Sequence, residues 1–296
     1  MDNLPMRLSF TKMQGAGNDF VVLDGRAGLP ASVFTADVLR RLADRRLGVG
    51  ADQILVVERP SLAADEAQFI YRIFNADGSE VEQCGNGARC FARFVLDRGL
   101  VEGPEIRVRT RSGLITLRVE PNGEVRVDMG RPSLLASSLP FRTDGLESKK
   151  VGSHEVYGLP LSDGRLVWVA PVSMGNPHLV QWVSDVNTCA IDEDGPLIES
   201  HARLPHRVNA GFAQRIDAGQ IALRVFERGA GETLACGTGA CAAVVSGIAQ
   251  GLLSASTPVC VHARGGDLRI EWSGKVSDPV FMSGPATTVF EGEINL

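Results

Sequence analysis

The chain carries one motif twice. Aligning Phe74 with Phe226 sets an offset of 152 residues (226 − 74), which also pairs Glu80 with Glu232, Cys84 with Cys236, Gly85 with Gly237, Gly87 with Gly239 and Ala88 with Ala240. In both places an apolar run ends at the Phe, a glycine-containing loop follows, and Cys-Gly-x-Gly-Ala opens an apolar segment. Upstream, Gly17-Asn18 and Gly175-Asn176 correspond at an offset of 158 (175 − 17), each ahead of an apolar stretch. One Cys-Gly-x-Gly-Ala arises by chance; two on matched frames point to two similar halves with one cysteine at the same place in each. A ligand cleft between the halves is the expectation, since domain boundaries often hold such sites.

Local patterns fill in the frames. Residues 7–13, 20–23, 54–57, 69–74, 106–110, 114–119 and 125–129 read as strands, with Pro121-Asn122-Gly123 turning the last pair. Thr35 is an expected N-cap for a helix reaching about Leu47, with Val38, Leu39 and Leu42 on one face. A helix from Ala88 to about Arg98 closes at Gly99, and a second runs from about Gly239 to Leu253. Both are apolar over much of their circumference, as a surrounded helix should be. Residues 132–165 read as loop and as the domain boundary, giving halves at 1–131 and 132–282. Strands follow at 166–170, 179–183 and 221–226, and a hairpin at 259–263 and 268–272.

Composition removes several function classes. A formal net charge of −5 without a basic stripe argues against nucleic acid. Met1-Asp2-Asn3-Leu4-Pro5 lacks the pattern of a secretory leader, and residues 240–253, interrupted by Ser246, Gly247 and Gln250, are too short to span a bilayer. The expectation is a cytoplasmic protein with no membrane or nucleic-acid partner, its six cysteines reduced. No Cys-x-x-Cys spacing occurs, so no metal is expected. Lysines stand only at 12, 149, 150 and 275. Lys149-Lys150 lies in a loop-like region and Lys275 in a Ser-Gly turn, which suits no pyridoxal phosphate Schiff base.

Paired thiols at helix starts have a chemical use. Inverting an α-carbon requires a proton removed from one face and another delivered to the opposite face. The helix dipole and freed N–H groups at a helix start lower a thiol pKa from about 8.5. One cysteine then serves as thiolate base and the other as thiol acid. The backbone donors of Gly85-Asn86 and Gly237-Thr238 are placed to hold the substrate carboxylate as charge develops on it. The bland alternative, cysteine as a small buried hydrophobe, fits Cys90, Cys189, Cys241 and Cys260.

The ordered motifs resemble the diaminopimelate epimerase family over nearly the whole chain. They are Lys12-Met13-Gln14-Gly15-Ala16-Gly17-Asn18-Asp19-Phe20, Gly50-Ala51-Asp52-Gln53, Phe74-Asn75-Ala76-Asp77-Gly78-Ser79-Glu80, Cys84-Gly85-Asn86-Gly87-Ala88-Arg89-Cys90, Gly175-Asn176-Pro177-His178, Val208-Asn209-Ala210-Gly211-Phe212, Glu227-Arg228-Gly229 and Cys236-Gly237-Thr238-Gly239. The resemblance implies an α+β fold of two pseudo-symmetric domains, each a curved, mostly antiparallel or mixed sheet around a central helix. Residues from about 283 to 296 are then expected to return to the first half. It also implies a cofactor-independent epimerase of LL- and meso-2,6-diaminopimelate, acting as a homodimer. Cys84 and Cys236 become the acid–base pair, with Cys236 the base toward the LL form and His178 in support. Asn18, Gln53, Asn75, Asn176 and Asn209 become substrate-binding positions, with Asn86 and Thr238 beside the cysteines. Glu227 and Arg228 read the distal amino and carboxylate groups, a role that Arg's bidentate fork suits. Taken alone, these asparagines would be turn residues, Glu227-Arg228 a solvated ion pair and His178 structural. Two rival readings remain: a proline or hydroxyproline racemase of the same fold, and a dithiol redox or amino-acid-binding module.

Overall fold

A computed structural model describes residues 6–60, 66–81, 84–111 and 113–296; residues 1–5, read above as lacking a leader, lie outside them. The chain divides into two compact units, Met1–Val127 with Gly284–Leu296 and Asp128–Ser283. Through the first unit run β1 (Arg7–Gly15), β2 (Asn18–Asp24), α1 (Ala36–Ala43), β3 (Gln53–Glu58), β4 (Phe69–Asn75), β5 (Glu80–Val81), α2 (Gly85–Asp97), β6 (Glu105–Thr110), β7 (Gly113–Val119) and β8 (Val125–Asp128). Next come β9 (Ser148–Val151), β10 (His154–Pro160), β11 (Leu166–Ser173), β12 (Pro177–Trp182), α3 (Ile191–Glu199), β13 (Asn209–Arg215), β14 (Gln220–Glu227), β15 (Gly231–Thr233), α4 (Gly237–Ala249), β16 (Val259–Ala263), β17 (Gly266–Glu271) and β18 (Phe281–Gly284). The last strand, β19 (Thr287–Asn295), pairs antiparallel with β1, from Arg7 opposite Asn295 to Gln14 opposite Thr287.

The strand order repeats between units. In the first, β2 lies parallel to β3, β3 antiparallel to β4, and β4 pairs antiparallel with β5 and parallel with β6. In the second, β12, β13, β14, β15 and β16 make the same relations in the same order. Strands of each unit pack around one helix. α2 packs on β1, β2, β3, β7 and β19, and α4 on β11, β12, β13, β14 and β17. In α4 only Thr238 and Ile248 are not buried, which explains why its sequence is apolar all round.

Several sequence expectations change. α1 ends at Ala43 rather than near Leu47, because the Asp44 carboxylate accepts the N–H groups of Arg46 and Leu47 and turns the chain. The expected Thr35 cap makes no side-chain cap bond; its hydroxyl donates to Ser32 O. Residues 132–165 are not all loop, since β9 and β10 form a hairpin there. Its polar outer face hid it, and Lys149 lies over the Trp168 ring, 3.7 Å from the centroid. α3 was masked by Gly195 and Pro196. Gly195 is required there, because a Cβ would meet the Phe226 ring at 2.8 Å. Cys90 and Cys241 are fully buried, whereas Cys189 and Cys260 are only half-buried, against the expectation for those two. Burial pushes the Cys90 thiol up to about 12, in keeping with an inert packing role.

Candidate active site

Cys84 and Cys236 occupy the same local position. Each is the N-cap of its buried helix in an extended conformation, with φ −138° and −116°, and neither side chain caps its own helix. Gly85 and Gly237, the first helical residues, are buried. The carbonyls of the two cysteines accept from Ala88 N and Ala240 N at 2.8 and 2.9 Å. An α-helix offers the N–H groups of its first turn no carbonyl one turn earlier, so they are available to other acceptors. The repeated second glycine is a packing requirement. A Cβ on Gly87 would lie 2.5 Å from the Tyr71 hydroxyl, and one on Gly239 3.0 Å from Val225 and 3.3 Å from Cys236 Sγ. Glycine therefore lets the helix start press against β4 or β14.

In the second unit, Cys236 Sγ lies 3.0 Å from Glu227 Oε2 and donates to it; Thr233 Oγ1 donates to the other carboxylate oxygen. Cys236 is only 6% exposed. Burial first, and then the Glu227 carboxylate, raise its pKa well above the ordinary thiol range. This corrects the expectation that a helix start alone makes Cys236 acidic: burial and the Glu227 carboxylate outweigh the Thr238 hydroxyl and the Gly239 N–H, which act the other way, and in this arrangement Cys236 is a thiol. Thr238 Oγ1 lies 3.7 Å from Cys236 Sγ and accepts from Asn176 Nδ2 at 3.1 Å. The Asn176 amide oxygen faces His178 Nε2 at 3.0 Å. Because the Asn176 nitrogen is committed to Thr238, its oxygen accepts, and His178 carries its proton on Nε2. His178 is buried, and burial with the nearby Arg228 charge lowers its pKa to about 3, so it is a neutral imidazole.

Asn209 and the turn that carries Arg228 are held together by hydrogen bonds to backbone. Asn209 is buried, and its amide holds backbone on both sides, donating to Pro177 O at 3.1 Å and accepting from Arg228 N at 2.9 Å. It thereby fixes where Arg228 leaves β14. The Arg228 side chain is exposed and donates to His206 O at 3.4 Å. Buried Glu199, unremarked in the sequence, accepts from Gly229 N at 2.9 Å and anchors the same turn.

The first unit repeats the set with different chemistry. Cys84 Sγ lies 3.8 Å from Asn18 Oδ1, which also accepts from Asn86 Nδ2 at 3.3 Å. Asn18 Nδ2 donates to Asp52 Oδ2 at 2.7 Å, which fixes the amide's orientation. Asp52 pairs with Arg45, and Arg45 with Asp19, whose carboxylate also takes the buried Lys12 ammonium at 2.7 Å. Lys12 is thus a structural cation. Gln53 and Asn75 face each other across β3 and β4; Gln53 Nε2 donates to Asn75 Oδ1 at 2.9 Å and Asn75 donates to Ser79 Oγ at 3.2 Å. Among the described residues, no group of metal-type ligands gathers at either cysteine.

One repeated feature escaped the sequence reading. Arg72 Nε donates to Glu80 at 2.8 Å, and Arg224 Nε to Glu232 at 2.7 Å. These pairs obey the 152-residue offset (224 − 72) and brace the hairpin ahead of each cysteine. Asn75 and Glu227 are also 152 apart (227 − 75), so the halves differ at one end of the set.

The sequence profile described as diaminopimelate epimerase matches residues 10–135 and 170–289. A diaminopimelate epimerase of Cupriavidus pinatubonensis is 58% identical over 291 residues, covering 98% of each chain. The chain belongs to the diaminopimelate epimerase family. Solved structures share the family's fold at low identity. A Bacillus anthracis phenazine biosynthesis protein of the PhzF family matches with a TM-score of 0.69 at 17% identity, covering 98% of this chain and all of that one (100%). An Agrobacterium vitis hydroxyproline epimerase matches with a TM-score of 0.64 at 13% identity, covering 98% and 93%. The mostly-sheet α+β architecture with a helix at the centre of each half is therefore the diaminopimelate epimerase fold. Among the described residues no helix is long and apolar enough to cross a membrane.

Proposed function

We propose that the chain interconverts LL- and meso-2,6-diaminopimelate without a cofactor, in the synthesis of lysine and peptidoglycan precursors. Cys84 and Cys236 act as the two bases. One thiolate removes the α-proton from one face, and the other thiol delivers a proton to the opposite face. The observation that carries this reading is the cysteine N-cap on a buried helix, repeated in both halves of a family member.

The Glu227–Cys236 contact gives the second half a proton inventory of its own. With the proton on sulfur, Cys236 is ready to donate to a carbanion; with the proton passed to Glu227, it is ready to abstract. The N–H groups at Gly85-Asn86 and Gly237-Thr238 stabilise the carboxylate as negative charge builds on it. Asn18 sets an amide oxygen beside the Cys84 sulfur, Asn176 holds the Thr238 hydroxyl that lies beside the Cys236 sulfur, and Arg228 supplies the cation for the distal carboxylate. The working form is a cytoplasmic homodimer in this reading.

The test is solvent exchange. Reduced protein is incubated with LL-diaminopimelate in D₂O, with proline and lysine as controls. The expected result is α-deuterium and meso product from diaminopimelate alone, with Cys84→Ser and Cys236→Ser each lowering the rate by at least about 100-fold. Exchange with proline instead would move the chain to the racemase reading that shares its fold. No exchange from confirmed thiols would leave a redox or binding module.

A further inference from the structure

The outward face of the second unit's sheet holds a cluster for which the epimerase reading has no use. Cys260 and His262 are alternate residues of β16, so they share the face opposite the buried Val259 and Val261. Antiparallel register sets Asp267 of β17 across from His262, and parallel register sets Gln220 of β14 beside Cys260. A ligand atom from each of Cys260, His262 and Asp267 lies within 4.8 Å of the others. His262 Nδ1 is 2.9 Å from Asp267 Oδ1 and 4.0 Å from Cys260 Sγ.

The hydrogen bonds behind the cluster orient it. Gln220 Nε2 donates to Asp217 at 2.9 Å, which turns Gln220 Oε1 toward His262 Nε2 at 3.2 Å. An amide oxygen only accepts, so His262 carries a proton on Nε2. In the neutral ring, the Nδ1 lone pair then points at a carboxylate oxygen and a sulfur. The Nδ1–carboxylate approach is repulsive unless a proton or a metal cation sits between the two atoms, and the Cys260 thiol can donate toward Nδ1. A metal-bound histidine has this same arrangement, with its second nitrogen donating to an oxygen that fixes ring and tautomer.

We propose that Cys260, His262 and Asp267 bind a divalent transition-metal cation of the zinc class. Thiolate, imidazole and carboxylate are a zinc donor set, and the two anionic ligands balance the charge of the ion. Tetrahedral zinc bonds of about 2.0–2.3 Å put ligand atoms roughly 3.3–3.8 Å apart. Binding therefore needs Sγ to close on His262 Nδ1 from 4.0 Å and the carboxylate to draw back from 2.9 Å, each by fractions of an ångström. The thiol proton leaves to solvent as the metal binds. Solvent reaches the cluster, with the His262 and Asp267 side chains 36% and 62% exposed, so the fourth position takes water. The ion clips β16 to β17 and is separate from the proton-transfer chemistry.

The test uses the full chain, reduced, with Cys84→Ser and Cys236→Ser introduced so that those thiols add no background. Protein is dialysed against Zn²⁺ and, in parallel, Co²⁺ as a spectroscopic probe. The expected result is one metal per chain, with tetrahedral Co²⁺ bands and a thiolate-to-cobalt band that Cys260→Ser removes. His262→Ala and Asp267→Asn weaken Zn²⁺ binding by about 100-fold or more, while Gln220→Ala, which touches no metal, weakens it by about 10- to 100-fold. Asp267→Asn changes only an exposed group, so its fold is secure, and circular dichroism checks the others. No stoichiometric metal, or binding that ignores His262→Ala and Asp267→Asn, overturns the proposal and leaves an imidazolium–carboxylate pair.

Discussion

Where the first half has Asn75, the second has Glu227, and the exchange alters the protons available to one cysteine only. Glu227 has two opposing effects on Cys236. Its charge disfavours the thiolate, and the carboxylate oxygen that accepts from the thiol can receive its proton. Glu227→Gln separates them. Removing the negative charge lowers the Cys236 pKa, so alkylation of Cys236, followed by mass spectrometry against pH, becomes faster near neutrality. Epimerisation becomes slower, by about 10²- to 10⁴-fold, because the proton has no acceptor. An alkylation profile unchanged from the parent would show that the carboxylate does not act on the sulfur.

Among the elements, the helix starts depend on close approach. Gly87→Ala drives a methyl into the Tyr71 hydroxyl, which donates to Cys84 O at 3.3 Å. The expected cost is about 1–3 kcal/mol of stability, from overpacking, seen as a lower denaturant midpoint. Gly239→Ala meets only the side chains of Val225 and Cys236 and should cost less. The repeated Arg–Glu braces differ in the same graded way. Arg224 and Glu232 are 17% and 12% exposed, against 27% and 26% for Arg72 and Glu80. Arg224→Met therefore costs more than Arg72→Met, by thermal or denaturant unfolding. It stays near the low end of about 1–3 kcal/mol, because Arg264 also pairs with Glu232, at 2.9 Å.

For the whole molecule, the ion pairs set an acid limit. Arginine partners hold Glu80 and Glu232 below the usual carboxylate range, by hydrogen bonds that outweigh burial. In Asp19, burial raises the pKa, but Arg45 and Lys12 together lower it further. A depressed folded pKa adds stability above the unfolded value, about 4, and loses it as pH falls through the folded value. The melting temperature should therefore hold from pH 7 to about 5 and fall below about pH 4. A second whole-chain dependence is the return of β19. Truncation after Gly284 removes the partner of β1 and the Pro285 carbonyl that Arg89 Nε holds at 3.3 Å. Limited proteolysis should then degrade the first unit while the second resists. Equal resistance in both would show that β1 needs no partner.

Sequence alone determined what depends on local chemistry and on repetition. The duplicated Cys-Gly-x-Gly-Ala placed both cysteines at helix starts, and runs apolar over much of their circumference marked α2 and α4 as surrounded. These signals are short-range, because helix starts and glycine close approaches are written within a few residues. The Arg72–Glu80 and Arg224–Glu232 braces were also present in the same offset, although only the glutamates were paired. Tertiary structure decided what depends on residues far apart in the chain. Register brought Asp52 under Asn18, turned Asn209 onto backbone, and set Asp267 beside Cys260 and His262. Burial, which no short window encodes, raised the Cys236 thiol against the helix-start N–H of Gly239 and left His178 neutral, because a charged group loses its hydration where water is excluded.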